Sequence, residues 1–234
     1  MNAVPALCAS LLARAEVDVA LVPIIEYQRM SDVVVVPDVC VGSRERVRSV
    51  VLVTKVEDLH DLKRIALDES SRTSAALLKI IFREFLGFEP EWVSRRPDAG
   101  QMLADNDGAL IIGDPGMTFS RGDLHVFDLA SLWRSHTGLG FVFAMWMMRD
   151  DVSRTARRIN FASARDEGLE RTEEIVGFYE PVLGLSPNDL RTYLRENISF
   201  SVDEEMQAGM SLYFELAHKH GIIPVVKPWK TIES

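Results

Sequence analysis

An α/β protein is predicted, with a largely parallel sheet in its first two-thirds and packed helices in its last third. Two patterns carry this. β-Branched apolar runs alternate with helical periodicity up to about residue 147, and from Asp151 onward only helical periodicity remains. Two helix-start signatures, at 186–189 and 201–204, fix the helical part more closely.

The elements follow in chain order. The start is apolar, and Leu7, Leu11 and Leu12 fall on one face of a helix that leads into a strand at 17–22, ended by Pro23. Residues 33–36 and 50–53 are two more β-branched runs. A short strand at 65–67 runs into Asp68-Glu69-Ser70-Ser71-Arg72-Thr73-Ser74, and behind it a helix presents Leu77, Leu78, Ile81 and Phe85 until Gly87 closes it. Residues 109–112 and 141–147 are the next apolar strands. In the tail, Ser186-Pro187-Asn188-Asp189 joins an N-cap, a proline at the first helical position and an acid. Ser201-Val202-Asp203-Glu204 opens a second helix with Met206, Met210, Tyr213 and Leu216 inward, stopped by Gly221.

Composition bounds the function classes. The 234 residues are 47% hydrophobic and 26% charged, enough for one large domain or two small lobes. The net charge of −9 leaves no surface-wide positive field to draw in nucleic acid, so an anion must be held by local donors. Cys8 and Cys40 have no metal-ligand or disulfide spacing and read as thiols of a reducing cytosol. A secretion signal places lysine or arginine ahead of its apolar run, whereas here Arg14 follows it. No apolar run approaches the ~18 residues of a membrane span. The expected partner is a small molecule, neither nucleic acid nor a membrane; the oligomeric state stays open.

Ser70-Ser71-Arg72-Thr73-Ser74 is the most informative stretch. A strand ends there and hydroxyls with one arginine open a helix, whose free N–H groups and dipole suit a carboxylate or phosphate. Arg72 can add a bidentate pair to a carboxylate. Plain capping needs one serine, and this run holds four hydroxyls. Gly113-Asp114 after the strand at 109–112 points out of the carboxyl edge of the sheet, where ligands of open α/β sheets bind; an aspartate making a turn is the competing reading. Thr137-Gly138 before the strand at 141–147 reads either as a hinge with close backbone approach or as an ordinary loop. The histidines lack the spacing of a metal site, and His218-Lys219-His220 suits a helix end. No dinucleotide, phosphate-loop or nucleophile-elbow motif is present.

Taken together, these segments resemble a known family. They are Val17-Asp18-Val19-Ala20-Leu21-Val22-Pro23-Ile24-Ile25-Glu26-Tyr27; Ser43 with Val47-Arg48-Ser49-Val50; the 68–74 run; Leu110-Ile111-Ile112-Gly113-Asp114; Asp128-Leu129 with Trp133; and Thr137-Gly138-Leu139-Gly140-Phe141-Val142-Phe143-Ala144-Met145-Trp146. Their order and spacing are similar to the chorismate dehydratases of the futalosine route to menaquinone, from about residue 5 to the C-terminus. The resemblance implies a two-lobed, periplasmic-binding-protein-like (type II) α/β fold with a helical C-terminal part. Residues 1–55 plus 147–234 would form one lobe and 56–146 the other, with crossings near 50–54 and 141–146.

It further implies a cytoplasmic hydro-lyase that turns chorismate into 3-[(1-carboxyvinyl)oxy]benzoate and water. Proton abstraction and loss of the ring hydroxyl are driven by aromatisation, so no redox cofactor or metal is expected. Implied substrate-binding residues are Ser43, Ser70, Ser71, Arg72, Thr73, Ser74, Gly113, Asp114, Thr137 and Gly138; no residue is assigned as the base. Two departures accompany the likeness. No counterpart of the family's opening S-Y-L-N-like strand, with its active-site asparagine, is seen, and Gly140 stands where proline is common. The alternative is a non-catalytic small-anion binder of the same fold.

Overall fold

A computed structural model describes residues 4–152 and 159–232. Two sheets organise it. The smaller holds β1 (Val19–Pro23), β2 (Val33–Ser43) and β8 (Phe141–Arg149) in the order β1-β8-β2, with both pairings antiparallel. The larger holds β3 (Val50–Thr54), β4 (Arg64–Asp68), β5 (Glu91–Arg95), β6 (Gly108–Ile112) and β7 (His125–Asp128) in the order β5-β4-β6-β3-β7.

The sheets are less parallel than the alternation of elements suggests. Among the described strands only β4 pairs in parallel, with β5 and β6, whereas β3 is antiparallel to β6 and β7. The reason is the route of the chain. β3 comes straight from β2 of the other sheet through residues 44–49, with no βαβ helix to return it in the parallel sense. Residues 50–54 pair wholly within the larger sheet and 141–149 wholly within the smaller, so the chain changes sheets before residue 50 and returns before residue 141, not within 50–54 and 141–146.

The first helix, α1 (Pro5–Ala13), lies beside β1. It buries Ala9 and Leu12 while Leu7 is exposed, so positions i and i+3 face the sheet rather than the Leu7-Leu11-Leu12 stripe. α2 (Arg72–Ile80) runs on as a π turn (Ile81–Leu86) that Gly87 ends in the left-handed conformation, φ 75°. α3 (Ala99–Ala104), α4 (Asp114–Thr118) and α5 (Leu129–Thr137) complete the surroundings of the larger sheet.

The helical part comprises α6 (Phe161–Glu170), α7 (Thr172–Leu183), α8 (Pro187–Thr192), a π turn (Tyr193–Asn197) and α9 (Glu204–Lys219). Ser186 caps α8 as predicted, accepting from the Asp189 N–H at 3.1 Å. For α9 the cap is Asp203, accepting from the Met206 N–H at 2.8 Å, and not Ser201. Met206, Met210, Tyr213 and Leu216 face inward as the periodicity requires.

One continuous core joins both sheets. Val22 and Ile25, Leu52 and Ile65, Leu77 of α2 and Phe82 of the π turn after it, Trp133, Phe141 and Tyr213 are all buried within it. Each such side chain contributes about 1.5–3 kcal/mol relative to exposure. The consequence for function is geometric: the ends of β2, β4 and β6 are held at fixed positions between two bodies that share packing. Among the described residues no helix is long and apolar enough to cross a membrane.

Candidate functional site

The strand β4 ends at Asp68, which is buried and folds the next residues back on themselves. Its Oδ1 accepts from the Ser70 backbone N–H at 2.8 Å and from the Ser70 hydroxyl at 2.6 Å, while its carbonyl accepts from the Ser71 N–H at 3.0 Å. Ser70 is thereby occupied in shaping the loop. Ser71 is the N-cap of α2, yet its hydroxyl makes no capping bond. Ser71, Thr73 and Ser74 are all buried at the helix start, where the first-turn N–H groups have no intrahelical acceptor.

Arg72 does not stand free. Its Nη1 donates to Glu26 Oε2 at 2.7 Å and its Nη2 to Ser10 Oγ at 3.2 Å. Glu26, in the turn Ile24–Gln28 that follows β1, is buried and receives Arg29 on its other oxygen at 2.6 Å. Two guanidiniums and one carboxylate leave this group one positive charge in excess. Thr73 Oγ1 accepts from the Ile25 N–H at 3.4 Å, and the Thr73 carbonyl accepts from the Tyr213 hydroxyl at 3.1 Å.

The end of β6 lies along the same edge of the sheet. Gly113 takes φ 69°, ψ −149°, a region open to glycine, and donates its N–H to the Ser49 carbonyl at 2.7 Å. Asp114 opens α4 and is exposed. Beside it, the Tyr193 hydroxyl donates to Ser49 Oγ at 2.9 Å. Burial pushes the Tyr193 phenol up, the Ser49 bond opposes this, and the charge of Asp114 adds to the rise. The preceding residue, Arg48, sits at φ 62°, and its N–H and that of Val47 donate to Asp128 at 2.6 and 3.2 Å. Its guanidinium pairs with Asp189 at 3.2 Å.

Ser43 and the 137–138 pair behave differently from one another. Ser43 ends β2 opposite Phe141; it is 1% exposed and its hydroxyl has no partner among the described residues. A buried hydroxyl left so costs about 1–3 kcal/mol, which water or a ligand can relieve. Thr137 is already engaged: its hydroxyl donates to the Trp133 carbonyl at 2.8 Å and accepts from the Leu139 N–H at 3.1 Å. Gly138 at φ 73° ends α5. The 137–138 pair is therefore a helix stop that sets the course into β8.

Sequence reasoning singled out the 70–74 run and 113–114, which the fold brings to one sheet edge. It passed over Glu26, Ser49 and Tyr193 as functional groups. A hollow of about 900 Å³ lies away from this edge, touching it only through Arg29, and is otherwise lined by residues such as Asp32, Arg149 and Asp150. A second, apolar cavity of about 340 Å³ lies against Leu21, Trp146, Phe161 and Phe200. Neither is lined by the hydroxyl-rich start of α2, and the chemistry of that edge outweighs the size of the hollows in locating the site.

The geometry can be set beside known proteins. The menaquinone biosynthesis family matches residues 1–219 of the chain. A chorismate dehydratase of Thermus thermophilus is 33% identical over 234 residues, which is 92% of this chain and 85% of that protein. Among solved structures, a protein of Archaeoglobus fulgidus superposes with a TM-score of 0.67 at 19% identity, covering 95% of this chain and 86% of its own. The periplasmic aliphatic sulphonate binding protein of Escherichia coli gives 0.60 at 16% identity, covering 100% and 82%. The fold is periplasmic-binding-protein-like, as the sequence motifs led us to expect.

Proposed function

The chain belongs to the menaquinone biosynthesis family, and from that membership we propose that it is a chorismate dehydratase. The observation that carries the reading is the identity to the Thermus enzyme along nearly the whole chain. The reaction breaks one ring C–H bond and one ring C–OH bond of chorismate, releases water and leaves 3-[(1-carboxyvinyl)oxy]benzoate. Aromatisation supplies the driving force, so the protein's task is to hold a dianion and its leaving hydroxyl in place.

The site geometry fits that task. The first turn of α2, with Ser71, Thr73 and Ser74, receives one carboxylate, and the surplus charge of the Arg29–Glu26–Arg72 group favours it. Ser43 brings a hydroxyl that no protein group among the described residues uses. Ser70, Gly113, Asp114, Thr137 and Gly138 shape the walls. In this reading one lobe is built on the smaller sheet, from residues up to about 43 and from about 141 onward, the other lobe is built on the larger sheet between them, and the enzyme works in the cytoplasm.

The test is a chorismate-consumption assay with chromatography of the product. Turnover that falls at least tenfold in Arg72→Ala supports the reading. A second reading, an anion-binding protein without turnover, is favoured by the likeness to the sulphonate receptor. It predicts a thermal shift with chorismate or 3-hydroxybenzoate and no product. Neither product nor shift would refute both.

A further inference from the structure

We propose that Glu26 is the positioning residue of this site: it holds Arg72 across the seam between the two sheets, so that the arginine meets the substrate already oriented. The proposal rests on the dehydratase reading above. Glu26 follows β1 of the smaller sheet, whereas Arg72 begins the helix after β4 of the larger one. Both carboxylate oxygens are taken by different arginines, at 2.6 and 2.7 Å, in a side chain only 6% exposed. The second anchor of Arg72, Ser10, also lies on the side of the smaller sheet, in α1. The neighbouring residue is joined in the same direction, with Thr73 Oγ1 accepting from the Ile25 N–H.

A free arginine surrenders much rotamer freedom when it binds an anion, and an arginine pinned at both terminal nitrogens surrenders little. Glu26 does not cancel the charge needed for binding, because Arg29 balances it. The Arg72 side chain keeps a third of its surface exposed, leaving donors for a ligand. A lysine at 72 is a point charge and cannot span Glu26 and Ser10 together. A purely architectural ion pair would show itself in stability alone; a positioning pair shows itself in substrate affinity.

The experiment is steady-state kinetics with chorismate on the full chain, comparing wild type, Glu26→Gln, Arg72→Ala, the double variant and Ser10→Ala, each with its urea unfolding curve. Glu26→Gln is expected to raise KM by about tenfold or more with kcat changed far less, since charged hydrogen bonds carry factors of that size. The double variant is expected to match Arg72→Ala, because Glu26 acts only through Arg72. Ser10→Ala, which removes one anchor and keeps a good helix former, should raise KM about threefold with stability intact. It decides the matter if Glu26→Gln does not fold. An unchanged KM in Glu26→Gln or Ser10→Ala, or losses that add to those of Arg72→Ala, overturns the proposal and leaves the dehydratase reading standing. A wild-type chain that makes no product takes both away.

Discussion

Gly209 offers the sharpest test of how the helical tail is seated. It lies in the middle of α9, and a methyl group placed on it would come within 2.1 Å of the Gly140 carbonyl oxygen. That is nearly an ångström inside the 3.0 Å below which something must shift. The obstacle is backbone just before β8, so no side-chain rotation relieves it. Replacing glycine by alanine inside a helix gains about 1 kcal/mol in propensity. Overpacking a tight contact costs about 1–3 kcal/mol, and a backbone clash this deep belongs at the upper end. Gly209→Ala is therefore expected to lose about 2 kcal/mol net, a fall in Tm of about 4–8 °C for a chain of this size. The internal control is Gly177→Ala in α7, where nothing among the described residues lies within 4 Å of the added carbon. That variant should gain up to about 1 kcal/mol. Urea unfolding with fixed m-value reads both. A Gly209→Ala protein as stable as wild type would refute the close approach of α9 to Gly140.

Further outcomes follow from the same contacts. Asp128 caps α5 through the Ser131 N–H at 3.1 Å and also accepts the N–H groups of Val47 and Arg48; Asp128→Ala should cost about 2–4 kcal/mol in urea unfolding, combining a lost cap with stranded donors. Lys219 and then His220 hold the Glu84 carboxyl below its ordinary range, with contacts of 2.8 Å. A depressed carboxyl stabilises the fold above its unfolded pKa of about 4.3, and that contribution disappears as pH falls from there through the lower folded value. Glu84→Gln should flatten the stability profile in that acid window and lower stability at pH 7. Burial pushes the Cys40 thiol up to about 12, so a thiol reagent at pH 8 should leave Cys40 unlabelled until the protein unfolds, as peptide mapping would show.

What could be read in the sequence, and what could not, divides by range. Strands such as β3, β4 and β6, the cap at Ser186 and the inward row Met206, Met210, Tyr213 obey local rules of period and capping, and each stands where those rules put it. The start of α9 shows the limit of the local rule: Ser201 and Asp203 can both cap, and the choice of Asp203 fell to tertiary contacts such as its ion pair with Arg44 at 2.7 Å. Strand direction was misjudged because alternation of elements says nothing about β3 arriving from another sheet. The partners of the site are distant in sequence. Arg72 finds Glu26 46 residues away, and Tyr193 finds Ser49 144 residues away. A hydroxyl-rich helix start raises the expectation of an anion site; only the fold tells which charge already occupies its arginine.

These distant partners share a direction. Arg72 and Thr73 are tied to Glu26, Ser10 and Ile25 of the smaller sheet's side, while Ser49 and Arg48 are tied to Tyr193 and Asp189 of the helical tail. Every one of these contacts crosses from the edge of the larger sheet proposed to face the substrate to something outside it. Orientation of the donors and closeness of the two bodies are then one and the same variable. Each contact is worth about 1–3 kcal/mol, the charged ones most, against about 5–15 kcal/mol for a whole fold. Loosening one leaves the protein folded while it misaligns the donors. Variants along the seam should therefore lose anion affinity well before they lose stability, whereas variants in the shared core around Trp133 should lose both together.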